Sequence, residues 1–334
     1  MAMQTTDCRK NIIHYYNYIM DRKIKLSDLK SAVQEAYDNH KNDMGGTPSQ
    51  KVADMNQGMF GISVRLTDGT KFDVGHSQAR FAMGAISRLP IAIQLLTQMQ
   101  PADLVKKMGL GHKGCGCGCG PKPDEPKQKV KGMHAKGVRA ASLVEPVGDF
   151  DGKMDILSNL MIELMGSSPV LDDKLYEAAQ QKAAENNIVN SFAETGYELY
   201  DEAGLSINLY NRLRSMLVTT EQLAEMGATI AADGVNPATQ AVVFDGQLSA
   251  TICSMMAAKG PKDMGKPWLI LTGVPAMSGF GGGFIAVIPG LGSIAAFSPE
   301  LNESGVPMKA ARAIKDIVTS LQLNAFSSAR VDIE

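Results

Sequence analysis

Three stretches of the chain carry residue types whose spacing suits chemistry. The first is FAMGAISRLPIAI, residues 81 to 93, where Ser87 and Arg88 stand in an apolar run just ahead of Pro90. A polar pair in such a run marks either the mouth of a site or a buried helix whose few polar groups are satisfied locally. The second is Cys115-Gly-Cys117-Gly-Cys119, flanked by His112 and His134. Thiols alternating with glycine can converge on a soft metal, and zinc, Cu(I) or an iron–sulfur cluster are the cofactors such a set would hold, with His112 as a fourth ligand. The spacing differs from the C-x-x-C of common zinc sites. Two other readings stand beside the metal: a thiolate nucleophile made more acidic by Lys113 and Lys122, and a flexible loop with unused thiols. The third stretch, GFGGG at 279–283, lacks the Lys-Ser/Thr that completes a phosphate loop and suits close backbone approach within a strand pair. Ser27-Asp-Leu-Lys30 fits S-x-x-K, but it opens a surface helix, where a cap is the simpler role.

The bulk numbers bound what these groups can serve. The 334 residues are 44% hydrophobic and 20% charged, enough for a packed core in one large domain or two ordinary ones. Lys plus Arg is 33 against 35 for Asp plus Glu, so no global field draws the chain to nucleic acid or to a membrane, and neither is expected as a partner. An odd count of 5 cysteines, three of them packed together, is not a secreted disulfide framework. IIHYYNYIM, residues 12–20, is too short and polar for a secretory core, so a cytoplasmic protein is expected. Residues 273–297 carry no charge and would be long enough to span a bilayer, yet their glycines and prolines argue for two buried strands around a turn.

The elements that must position these groups follow from periodicity. Leu26, Leu29, Val33 and Tyr37 recur at helical spacing behind a Ser27 cap. FGISVRLTDGTKFDVG reads as a hairpin turning at Asp68-Gly69, and residues 83–107 return to a helical pattern. Residues 109–137, dense in Gly, Lys and Pro, have no hydrophobic period and form a loop. Helices are expected near 154–165, 173–186, 207–217 and 220–233, strands at WLILTG, GFIAVIPG and SIAAFSP, and a last helix near 308–321. Cys253 falls on an apolar helix face beside Met255 and Met256. Strands at both ends with helices between them predict an α+β fold: a mixed or antiparallel sheet flanked by helices, plus a mostly helical subdomain. The expected bounds are an N-terminal extension 1–24, one domain 25–325, and a tail 326–334; the sheet part lies at about 45–95 and 245–325 and the helical part at about 96–244.

The words KVAD (51–54), FGISVRLTDG (60–69), LAEMGATIAADGVNP (223–237), GVPAMSGFGGGFIAVIPG (273–290) and AAFSPELNESG (295–305), in this order, resemble the serine-dependent glutaminases, relatives of the β-lactamase and penicillin-binding fold. The resemblance implies that fold, a homo-oligomer of at least two copies, and hydrolysis of the glutamine side-chain amide by a serine with a lysine one helical turn on. Matched to FAMGAISRLP, the serine falls on Ala85 and the lysine on Arg88. A methyl cannot attack, and a guanidinium is never deprotonated to serve as a base. The remaining family positions fall on Arg139 for an asparagine, Lys262 for a tyrosine, Gln180 for the substrate-binding glutamate, and Met277-Ser278-Gly279 for a KSG word; Asn187 and Tyr210 are retained.

These exchanges leave the implied pocket about two charges more positive than the family pattern, and an enclosed cation cluster is costly without an anion. The resulting expectation is a divergent protein that binds or transforms a small anionic metabolite such as a dicarboxylate, sulfonate or phosphorylated compound, through Arg88, Arg139, Gln180, Asn187, Tyr210, Lys262 and Ser278. Its alternatives are glutamine hydrolysis by an unrecognised nucleophile, and a non-enzymatic metal-binding protein built on Cys115, Cys117 and Cys119.

Overall fold

Asp68 and Gly69 turn the chain between two strands, β1 (Gly61–Leu66) and β2 (Lys71–Gly75), and the Asp68 carboxylate closes the turn by accepting the Thr70 N–H at 2.8 Å. In the computed structural model, which describes residues 21–43, 46–48, 58–110, 130, 134–327 and 330–333, this hairpin joins three strands from the other end of the chain. They are β3 (Ala276–Ser278), β4 (Gly283–Ile288) and β5 (Gly292–Phe297). The sheet order is β2-β1-β5-β4-β3, with every pairing antiparallel. The expected α+β architecture is therefore present, and of the two sheet types allowed for it the antiparallel one occurs.

Twelve described helices surround the sheet: α1 (Leu26–His40), α2 (Arg88–Gln98), α3 (Pro101–Lys107), α4 (Ala135–Ser142), α5 (Phe150–Met165), α6 (Asp173–Glu185), α7 (Ile188–Thr195), α8 (Ala203–Arg214), α9 (Thr220–Ala231), α10 (Gln247–Lys259), α11 (Gly265–Thr272) and α12 (Met308–Ser320). Successive side chains of β4 enter opposite cores. Phe284, Ala286 and Ile288 join α1, α11 and α12, whereas Ile285 and Val287 join the layer of α9 and the helices behind it. Burial on both faces removes the alternation that marks a half-exposed strand, so β4 and β5 read as continuous apolar runs. The Ser293 hydroxyl fixes α9 on the sheet by donating to the Ala224 carbonyl at 2.6 Å. A capping box at Thr219 and Gln222 starts that helix.

Four local expectations are corrected. WLILTG is not a strand: it ends α11, where Trp268 and Thr272, four residues apart, face inward and Ile270 and Leu271 face out. Ser27 lies inside α1 and donates to its neighbour Asp28, while Lys25 holds the cap position. Residues 83–107 divide into a 3₁₀ turn, α2 and α3, with Pro101 opening the last. The expected helix near 207–217 begins at Ala203 and stops at Arg214, and α7 follows α6 as a separate helix. Among the described residues no helix is long and apolar enough to cross a membrane. Cys253 is buried on α10, as its apolar neighbours implied, and burial followed by the Asp233 charge pushes its thiol up to about 11.

Candidate active site

A short pairing brings the site together. Phe81–Ala82 runs antiparallel to Met216–Val218, with Phe81 opposite Val218 and Ala82 opposite Leu217. The ladder continues as the Met83 N–H donates to the Met216 carbonyl at 2.9 Å. Beyond it the chain enters the 3₁₀ turn Gly84–Ser87, which packs against the end of α8. Gly84 has φ +55, and a Cβ there would lie 2.7 Å from the Phe280 ring. On the far side β3 packs against the same turn, and a Cβ on Gly279 would meet the Met83 carbonyl at 2.4 Å. The turn is thus held between α8 and the segment that leaves β3.

Ala85 and Arg88 are both partly exposed at this turn, while Ser87 is fully buried. The Ser87 hydroxyl is occupied, donating to the Gly84 carbonyl at 2.8 Å. Arg88 folds back over the turn, its Nε donating to the Ala85 carbonyl at 3.1 Å. The side chains one helical turn apart are a methyl and a permanent cation, which together can hold and polarise an acyl group but cannot attack it.

Further cations gather here. The Arg214 guanidinium, at the end of α8, lies 4.9 Å from the centroid of the Phe280 ring and 5.7 Å from that of Tyr210. Burial lowers its pKa, the nearby Arg88 charge acts in the same direction, and Tyr210 offsets part of the effect. Lys259, at the end of α10, is also held below the usual lysine range, first by partial withdrawal of its ammonium from water and then by Arg88 and Lys136. Among the described residues no carboxylate lies within ion-pair distance of Arg88, Lys136, Arg214 or Lys259. Tyr210 is buried, and its hydroxyl has no hydrogen-bond partner among them.

Arg88, Tyr210 and Ser278 stand on the elements that enclose the turn. Ser278 is buried in β3 and its Oγ accepts the Lys262 backbone N–H at 3.4 Å; the Lys262 side chain is exposed. Gln180 adjoins this group through α8, its Oε1 accepting from Asn211 at 2.7 Å. Asn187 is exposed and opens α7 with φ 48. Arg139 is buried and neutralised: its Nε donates to the Glu198 carbonyl at 2.8 Å, its Nη2 lies 3.6 Å from the Glu198 carboxylate, and the guanidinium stacks 4.4 Å over Tyr197. His112, Cys115, Cys117 and Cys119 lie outside the described residues, as do KVAD and most of the 109–137 loop. Among the described residues no three His, Cys, Asp or Glu side chains are grouped to hold a metal. Sequence reasoning missed Arg214 and Phe280. The signal for Arg214 was its place four residues after Tyr210 on one helix face.

The family model described as Glutaminase matches residues 48–326. A glutaminase from Parabacteroides distasonis is 34% identical over 321 residues, covering 94% of this chain and 99% of that protein. One from Bacteroides thetaiotaomicron is 35% identical over 315 residues, covering 92% and 98%. Among solved structures, the probable glutaminase ybaS has a TM-score of 0.80 at 27% identity, covering 91% of this chain and 99% of that one. A probable glutaminase from Bacillus subtilis, complexed with 6-diazo-5-oxo-L-norleucine, has a TM-score of 0.72 at 21% identity and covers 89% and 96%. These findings overturn the expectation of a divergent protein that handles a small anionic metabolite in place of glutamine. The charge argument behind it also loses a term, because Arg139, counted there as a pocket cation, is paired with Glu198.

Proposed function

We propose, for a chain that belongs to the glutaminase family, that the site at the turn of Ala85 and Arg88 takes L-glutamine and that the protein hydrolyses its side-chain amide to glutamate and ammonia. The observation that carries this reading is similarity along nearly the full length of both partners: 34% identity over 94% of this chain and 99% of a relative named glutaminase. A shared fold by itself would not support a shared reaction. In the balanced reaction, a hydroxyl oxygen adds to the amide carbon, the C–N bond breaks, and ammonia leaves with the proton that the hydroxyl gave up. Water then releases glutamate. With Ala85 lacking a hydroxyl and Ser87 committed to Gly84, the hydroxyl that this reading assigns is that of Ser278, on the strand packed against the turn.

One observation favours a second reading, in which glutamine is held without turnover: the i and i+3 positions of the turn carry Ala85 and Arg88, neither of which can supply a nucleophile or a base. Ammonia and glutamate measured after incubation with L-glutamine, alongside calorimetric binding, separate the two. Equal amounts of both products support hydrolysis, and their loss in Ser278→Ala supports the assigned hydroxyl. Binding heat without ammonia supports the second reading, and neither signal ends both. A cytoplasmic place and a homo-oligomeric state complete the proposal, the first resting on the odd, clustered cysteines and the second on the family; light scattering after gel filtration checks the second.

A further inference from the structure

The Arg88–Arg214 neighbourhood has a feature that the hydrolysis reading does not use. Of the five N–H donors on each guanidinium, Arg88 spends one on the Ala85 carbonyl, and Arg214 donates to no described residue. Arg214 is held by aromatic faces, Phe280 at 4.9 Å and Tyr210 at 5.7 Å. Stacking covers the planes of a guanidinium and leaves its N–H edge for an in-plane acceptor. The antiparallel register of Phe81–Ala82 with Met216–Val218 places Arg214 beside the turn that carries Arg88. Phe280, packed on Gly84, fixes the other wall. Two partly exposed guanidiniums at one turn, with no described carboxylate to neutralise either, leave a local excess of positive charge that a ligand's anion would relieve.

We propose that Arg214, with Arg88, holds the α-carboxylate of the substrate, which makes Arg214 the residue that restricts the pocket to free α-amino acids. The inference rests on the glutamine reading, and the choice of carboxylate follows from it: glutamine has one carboxylate, at its α-carbon. A planar carboxylate matches two guanidinium edges, and its charge relieves the mutual repulsion of Arg88 and Arg214. Lys259 adds to the local positive potential from the end of α10. The side-chain amide is left to extend along the turn toward Ala85 and β3.

The test compares L-glutamine with its α-amide, which lacks only the carboxylate charge, on the full-length protein and on Arg214→Met and Arg214→Lys. Calorimetry gives the affinities, and ammonia release gives KM and kcat. The wild type should bind glutamine about tenfold or more tightly than the α-amide, a ratio in the range of one charged hydrogen-bonded contact. Arg214→Met should weaken glutamine by a similar factor, seen in KM, with kcat changed by less than about threefold, and should discriminate between the two ligands less than about twofold. Arg214→Lys should recover part of the loss, because it keeps the charge without the fork. An unchanged glutamine affinity in Arg214→Met, or equal binding of the α-amide by the wild type, overturns the inference; the second comparison needs no variant to fold. Glutamine binding that depends on Arg214 without ammonia release would uphold this inference and end the hydrolysis reading. Ammonia release indifferent to Arg214 would do the reverse. If the wild type binds no glutamine, both fall.

Discussion

Position 85 holds a methyl group and position 88 a guanidinium, so Ala85→Ser and Arg88→Lys would install a hydroxyl and an amine one helical turn apart. A hydroxyl needs a base within reach, so Ala85→Ser alone should leave ammonia release within a few-fold of wild type, while Arg88→Lys alone should lower it by giving up the guanidinium fork. The double variant should exceed the product of the singles, by about a hundredfold or more. Steady-state rates on L-glutamine measure this, and a double variant no faster than its parents would mean that the turn no longer presents position 85 to the ligand. Ala85, Ser87 and Arg88 could be singled out along the sequence, because they lie in one short run. Arg214 offered only its place four residues after Tyr210, and Phe280 offered no signal, since what makes them part of the site is a strand register and a left-handed glycine rather than a motif. Gly84→Ala should test the second of these, costing about 1–3 kcal/mol in urea unfolding through its positive φ and its contact with Phe280.

At the scale of elements, α5 is fastened to the segment before α8 by a buried ion pair: the Lys153 ammonium donates to the Asp201 carboxylate at 2.5 Å, with the two side chains 0% and 2% exposed. Burial by itself would raise the Asp201 pKa, but the hydrogen bond from Lys153 and the N–H groups of Gly148 and Glu202 outweigh it and hold the carboxyl below its ordinary value of 3.8. A carboxyl whose pKa is lower folded than unfolded stabilises the fold above the unfolded value, and that contribution is lost as pH falls through the folded one. Wild-type stability should therefore decline below about pH 4. In Asp201→Asn this share of the decline should be absent, against a baseline lowered by about 3–5 kcal/mol. Urea midpoints at pH 6 and pH 3 give both quantities. The expected helix near 154–165 ends where α5 ends but starts four residues late, missing the Asp149 cap, and nothing in the spacing of Lys153 and Asp201 foretold their contact. WLILTG failed for a related reason: an aromatic and β-branched run suits either element, and only packing decided that Trp268 and Thr272 would share an inner face.

For the whole molecule, the strands are the common wall of two cores, and their alternate side chains belong to different layers. Neither layer can lose its packing without stripping one face of β4 and β5, so the domain should unfold in a single transition. Trp268, the single tryptophan, is buried in one layer, where its indole N–H donates to the Val274 carbonyl at 2.9 Å. Most of the helix lies in the other. Tryptophan fluorescence and far-ultraviolet circular dichroism should then give coincident urea midpoints, and separated midpoints would reveal two independent units. The paired apolar runs at 283–297 made this layering legible early, while the assignment of each residue to its layer had to come from the structure.

Cys253 lies within one of these layers, its thiol pushed up to about 11 by burial and by Asp233. Only the thiolate reacts with an alkylating reagent, so in the native protein this sulfur should stay unmodified. Its labelling then becomes a clock: the lag before mass spectrometry detects an adduct on its peptide measures how often the interior opens, in buffer without denaturant.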